Sequence, residues 1–449
     1  MKLVYDIKDK PKAGQLIVFA FQQLLAILAA TIAVPAIVGN GMSQSAALFG
    51  AGVGTLVYLL FTKFKSPVFL GSSFAFLGSM FAAFGGAVST AAGYTGLIIG
   101  AIFAGLVYVV IAIVVKFAGV NWINKLMPPV VIGPTVAIIG LSLAGNAVGD
   151  ALHFAAKTED GSSFVMGTQA WIGFICALVT LFTVMICSVY GKKMAKLIPF
   201  ILGILAGYAV GSIFTLIGMK TGNDALKVID WSAFQNMQWV PDFTFLTAAK
   251  GFKEVDAAYI AMIAVAYVPV AFVVFAEHIA DHKNLSSIIE QDLLEEPGLH
   301  RTLLGDGIGS MVGAIFGGCP NTTYGESVGC VAITGNASVV TIVATAIMAI
   351  AASFVAPFVT FLSTIPACVM GGVCITLYGF IAVSGLKMIQ KVDLDDNSNL
   401  FVVSVILIAG IGGMALSIGK VTLTEVACAL ILGIITIVIL SKKKDKKAA

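Results

Sequence analysis

The chain has 449 residues, 59% of them hydrophobic and only 11% charged, with a formal net charge of +3. Soluble domains carry about 25% charged residues, so this composition excludes an ordinary water-soluble protein and makes the lipid bilayer its partner. A small positive balance whose basic residues sit at the ends of apolar runs is a topology signal, and no nucleic acid is expected.

The seven cysteines fall within apolar runs, without metal-ligand spacing or a secreted disulfide framework, so no metal or cofactor is expected. The first fifteen residues are charged and lack a small-residue cleavage site, which argues against a removable signal. A multi-pass protein of a bacterial plasma (inner) membrane is expected.

A membrane-crossing helix needs about 20 mostly apolar residues. Twelve runs meet this need in chain order: 16–38, 45–62, 93–115, 129–148, 170–190, 197–217, 257–280, 302–317, 338–362, 366–388, 400–416 and 422–440. Two more are apolar but broken, at 68–84 and 317–332. Basic residues test the count, because cytoplasmic loops are enriched in Lys and Arg. Lys2, Lys8, Lys10 and Lys12 fall on one side with Lys63 and Lys65, Lys116 and Lys125, and Lys192, Lys193 and Lys196. Lys283 and Arg301, Lys387 and Lys391, and the tail from Lys442 to Lys447 join them only if both broken segments cross. The expected fold is therefore an all-α polytopic membrane protein of fourteen transmembrane segments with both termini cytoplasmic. The broken segments are third and tenth, the same place in two halves of seven. An odd number per half makes the repeats inverted, and interrupted segments at matching positions mark a transporter's midplane site.

The run at 257–280 leads into Glu277, His278, Asp281 and His282. Glu277 and Asp281 are four apart and share a helix face. Asp281 and His282 also suit the solvated end of a helix, opening a cytoplasmic stretch. Glu277 follows a long apolar run, where a charge costs roughly 2.5–3.5 kcal/mol, and is a functional candidate on that ground. Glu326 has the same logic: Thr322, Thr323, Tyr324 and Gly325 form a short extended run before a half-helix. Such a helix start presents free N–H groups and a partial positive charge. Gly71, Ser72, Ser73 and Phe74 make the matching piece of the first half. Phe74 and Tyr324 offer flat faces, or pack. Backbone donors beside two carboxylates suit a small planar solute bearing both N–H and C=O groups. Paired carboxylates repel an anion and share a proton readily, so a proton is the natural coupling ion. Asp306 follows Arg301 by five and is expected to pair with it or to cap a helix end. No nucleophile elbow, phosphate loop or metalloprotease motif is present in the sequence, so an enzyme is not expected.

FQQLLAILAATIAVP (21–35), VFLGSSFAF (68–76), FAEHIADH (275–282), DLLEEPGLHRTLLGDGIGS (292–310), CPNTTYGESVG (319–329) and IPACVMGGVCITLYG (365–379) together resemble the nucleobase–ascorbate transporter family, in its bacterial uracil-transporting branch. The resemblance spans nearly the whole chain. It implies a core domain (1–125 and 257–363, segments one to four and eight to eleven) moving against a gate domain (126–220 and 364–441). Short antiparallel strands in segments three and ten are implied to meet at the substrate. Proton-coupled uptake of uracil by alternating access, and a homodimer, are implied as well. Glu277 and Glu326 would accept the base's N–H groups, backbone around Ser73, Phe74, Tyr324 and Gly325 would answer its carbonyls, and Ala30 would touch the ring. Proton coupling falls to Glu277, His278, Asp281 and Glu326, with Asp281 standing where uracil-type members commonly carry His. Two other functions stay open: a proton symporter for xanthine or another purine, and an anion channel or exchanger of the related inverted-repeat fold.

Overall fold

A computed structural model of the chain describes residues 3–119, 128–159, 161, 163–192, 194–418 and 421–448. Lys2, Lys125 and Lys193 of the charge pattern, and the boundary at 125–126, lie outside the described residues. The first half runs through α1 (Ala13–Val38), α2 (Gln44–Phe61), β1 (Leu70–Ser72), α3 (Leu77–Gly85) and α4 (Thr90–Ala118). It continues with α5 (Pro129–Ser142), α6 (Ala144–Ala151), a small hairpin of β2 (Ala156–Lys157) and β3 (Phe164–Val165), α7 (Thr168–Tyr190) and α8 (Pro199–Thr221). After α9 (Thr244–Gly251) come α10 (Ala257–Ile289), α11 (Leu299–Gly317), β4 (Asn321–Thr323) and α12 (Gly325–Thr334). The chain closes with α13 (Val339–Ala352), α14 (Ala356–Ser363), α15 (Ala367–Ile389), α16 (Asn397–Ile411), a β5–β6 hairpin (Leu416–Ile418, Val421–Leu423) and α17 (Glu425–Ala448).

Among the described residues eight helices are long and apolar enough to cross a membrane, and nine if the bent pair α13 and α14 counts as one span. The protein is thus a mostly helical, multi-pass membrane protein with a few short strands. The apolar run read as one span at 338–362 is broken by an 81° bend between α13 and α14, with Pro357 in the first turn of α14. Proline is accepted there because the first turn has no intrahelical partner for its missing N–H.

Side chains cap three of the long helices: Ser43 accepts from Ala46 N at α2, Ser89 from Ala92 N at α4, and Asp256 from Tyr259 N at α10. Small residues bring helices together, as expected where lipid supplies no hydrophobic drive. At Gly54 on α2 and Gly309 on α11, a Cβ on either would stand 2.7 Å from the other's carbonyl oxygen. On α5, a Cβ at Gly140 would reach 2.6 Å from the Ala382 backbone nitrogen on α15. Helices α1, α2, α4, α10, α11 and α13 pack in one neighbourhood, and α5, α7, α8 and α15 in another.

Candidate functional site

Strands β1 and β4 come from opposite halves of the chain yet pair antiparallel: Leu70 with Thr323, Gly71 with Thr322 and Ser72 with Asn321. Ser73 N donating to Pro320 O (2.8 Å) and Tyr324 N to Phe69 O (3.2 Å) lengthen the ladder at both ends. Irregular backbone at membrane depth survives only when its polar groups are satisfied by protein. Here α2 and α11 do so. Thr55 Oγ1 accepts from Leu70 N (2.9 Å), Ser310 Oγ accepts from Asn321 N (2.9 Å), and Asn321 Nδ2 donates to Gly50 O (3.2 Å). Ser327 ties the ladder to α1, its hydroxyl bonding Gln23 Nε2 and accepting from Phe69 N (3.0 Å).

Each strand leads into a helix start. Tyr324 precedes α12 and Phe76 precedes α3, and neither supplies a side-chain cap. A 3-10 turn at Phe74–Phe76 links β1 to α3, with Leu77 N donating to Phe74 O, while Gly325, the first residue of α12, is exposed and lines a cavity. Glu326 is in the first turn of α12.

A cavity of about 430 Å³ opens at this junction, within the usual range for small-molecule sites of ~300–1,000 Å³. Ser73, Phe74, Glu277, Asp281, Thr322, Thr323, Tyr324, Gly325 and Glu326 line one side; Val136, Ile139, Phe200, Leu377, Phe380, Ile381 and Ser384 line the other. Glu277 faces the open space, while Asp281 and Glu326 are half-buried. Thr323 Oγ1 donates to Asp281 Oδ2 at 2.8 Å. The Tyr324 hydroxyl donates to Ser72 O at 2.8 Å, which lays its ring over Gly71. Phe74 meets Tyr378 edge to face, with centroids 6.0 Å apart. None of the lining residues is basic, so three carboxylates set the charge of the cavity. The chemistry on offer is carboxylate acceptors, the backbone of the two strand-to-helix junctions and aromatic walls. Among the described residues no group of His, Cys, Asp and Glu is arranged to hold a metal ion.

Seven of the nine candidate residues named from the sequence line this cavity: Ser73, Phe74, Glu277, Asp281, Tyr324, Gly325 and Glu326. Ala30 is buried in α1 and is not among the lining residues. His278 is fully buried and turns from the cavity, with Nδ1 donating to Asp306 Oδ2 (2.7 Å) and Nε2 on Thr302 Oγ1 (2.9 Å). That pair corrects the expectation for Asp306, which does not bond Arg301; the Arg301 guanidinium donates to Phe61 O (3.4 Å) instead. The reason is depth, since Asp306 is fully buried and a buried carboxylate takes a hydrogen-bonding partner inside the protein. Asp281 and His282 are not solvated end residues, because α10 continues to Ile289 and carries them inside. Sequence reasoning missed the apolar wall from α5, α8 and α15, whose residues look like any lipid-facing or packed side chain.

The Permease family model that covers xanthine and uracil permeases (Xan_ur_permease) matches residues 14–419. The chain belongs to this family, the nucleobase–ascorbate transporters. Its members are permeases, not enzymes. The uracil permease of Bacillus caldolyticus is 41% identical over 98% of this chain and 95% of its own length. The uracil permease of Bacillus subtilis (strain 168) is 37% identical over 100% of this chain and 97% of its own. The transmembrane domain of the cyanobacterium bicarbonate transporter BicA superposes with a TM-score of 0.66 at 15% identity, over 96% of this chain and 99% of that one. At that identity the likeness concerns the fold alone.

Proposed function

We propose that this chain takes up uracil together with protons across the bacterial inner membrane by alternating access. The observation that carries it is the cavity in which Glu277 and Glu326 meet the start of α12 at Gly325 and the Phe74 and Tyr324 rings. Uracil presents two N–H donors and two carbonyls in one plane, which complement two carboxylates and backbone N–H groups. Relatives named uracil permeases at 33–41% identity over nearly the whole chain support the same substrate. Proton coupling follows from charge: Glu277, Asp281 and Glu326 share one cavity without a basic residue, and a proton lowers their mutual repulsion.

The proposed frame is fourteen segments in two inverted repeats, with 1–125 and 257–363 as core, and 126–220 and 364–441 as gate. The antiparallel β1–β4 pair supports it, because inverted halves bring matching broken segments together head to tail. The cavity lies where residues of the proposed core meet Val136, Phe200 and Leu377 of the proposed gate, as a rocking mechanism needs. Both termini are placed in the cytoplasm by the Lys and Arg pattern, and a homodimer in the bilayer is the proposed assembly.

Uptake of labelled uracil by cells lacking their own permease, competed by unlabelled bases, tests the substrate. Uracil uptake that xanthine leaves unchanged is expected. Competition by xanthine without uracil accumulation would make the chain a purine transporter, and anion flux without base uptake would make it an anion exchanger.

A further inference from the structure

Beside the cavity lies a second cluster of ionisable groups. His278 and His282, one turn apart on α10, are fully buried, and their rings stack with centroids 4.1 Å apart and planes 29° apart. His282 Nδ1 donates to the His278 carbonyl (2.8 Å). In the neutral ring Nε2 is then an acceptor and takes the Tyr58 hydroxyl (2.7 Å). When Nε2 gains a proton it donates to the Tyr58 oxygen instead, and the Tyr58 hydroxyl turns to Ser66 Oγ at 2.7 Å. His278 has the same provision. Its Nδ1 donates to Asp306, and its neutral Nε2 accepts from Thr302. Once protonated, Nε2 donates to Thr302 Oγ1, whose hydroxyl turns to the Leu299 carbonyl at 3.1 Å. Each ring therefore has partners for both protonation states. A histidine kept only for packing needs partners for one.

Ionisable groups from several elements surround the pair. Glu277 and Asp281 come from α10, Tyr58 from α2, Tyr108 from α4 and Asp306 from α11; from β4, Thr323 bonds Asp281. Burial opposes charging either ring, the Asp306 carboxylate bonded to His278 offsets part of that cost, and two imidazolium rings stacked at 4.1 Å would repel each other. The pair can therefore hold no more than one added proton. Among the described residues Asp306 Oδ1 is buried without a hydrogen-bond partner, and the buried Tyr108 hydroxyl lies beside Thr322, which also lines the cavity. Polar atoms thus continue from the histidine pair to the substrate site, in a setting suited to a bridging water.

We propose that the stacked His278–His282 pair, held by Asp306 and Tyr58, is a second proton-binding unit that takes up and gives back one proton in each transport cycle. It rests on the proton-coupled function above, and it assigns Tyr58 and His282 as positioning and carrier groups outside the cavity.

Purified protein in liposomes tests it with two readouts: uracil exchange at equal pH on both sides, and uracil accumulation driven by an alkaline interior. Tyr58→Phe keeps the ring and removes only the hydroxyl; His282→Gln removes the titrating group. Both variants are expected to exchange uracil within about twofold of wild type and to lose gradient-driven accumulation by at least about tenfold. Wild-type accumulation in both variants would overturn the proposal. So would a parallel fall of exchange and accumulation in both, which marks a packing role. If wild-type protein itself ignores the gradient, proton coupling fails first and the proposal falls with it.

Discussion

Gly71 offers a test that depends on shape alone. It sits in β1 opposite Thr322, with the buried Tyr324 ring lying across it. A Cβ at position 71 would overlap Cε2 and Cζ of that ring and stand 2.7 Å from its hydroxyl oxygen. Gly71→Ala must therefore push Tyr324 aside, at about 1–3 kcal/mol for overpacking. The displaced hydroxyl also gives up its bond to Ser72 O, worth about 1 kcal/mol net. Tyr324 walls the cavity and precedes the helix that bears Glu326, so the displacement enters the binding site. If even half of that strain opposes binding, uracil affinity falls about tenfold, since 1.4 kcal/mol is a factor of ten. Calorimetric titration of uracil into purified protein reads this directly. Gly78→Ala on α3 is the control, because its added Cβ meets only the Glu425 carboxylate at 3.9 Å, an ordinary contact. Wild-type affinity in Gly71→Ala protein would refute the placement of Tyr324 at the substrate.

Glu326→Gln should weaken uracil binding by about 10- to 150-fold, the loss of one charge-assisted hydrogen bond of roughly 1.5–3 kcal/mol, measured by the same titration. Glu277→Gln is expected to weaken binding similarly and to flatten the pH dependence of uptake between pH 5 and 8; an unaltered pH profile would remove Glu277 from coupling. Thr323→Val keeps the shape of the side chain and strips Asp281 Oδ2 of its donor. It should lower gradient-driven uptake while Thr323→Ser restores it; equal uptake in all three proteins would show that the bond is dispensable.

The site was more legible in the sequence than the fold around it. Glu277, Glu326 and the Pro320-to-Gly325 segment stand out because polar groups within apolar runs are costly, and that cost is a property of composition. The pairing of β1 with β4 was implied by the family resemblance, while the residues by themselves showed two broken segments at matching places. What escaped detection depends on distant partners. Asp281 and His282 carry the same letters whether they end a helix in water or lie inside one, and the outcome is set by Thr323 and Tyr58 from other elements. The apolar wall of Val136, Phe200 and Leu377 was illegible for a similar reason, since a valine facing substrate and a valine facing lipid have the same local pattern. The α13–α14 bend was hidden by continuous hydropathy across residues 338–362, although Pro357 marks the place.

The central claim is that uracil moves uphill with protons through the cavity that Glu277 and Glu326 line. The most direct measurement is labelled uracil inside liposomes bearing the purified protein, before and after an alkaline-inside gradient is imposed. Accumulation above the external concentration, collapsing on addition of a protonophore, is the result the account predicts. Equilibration to the external concentration with or without the gradient would contradict it.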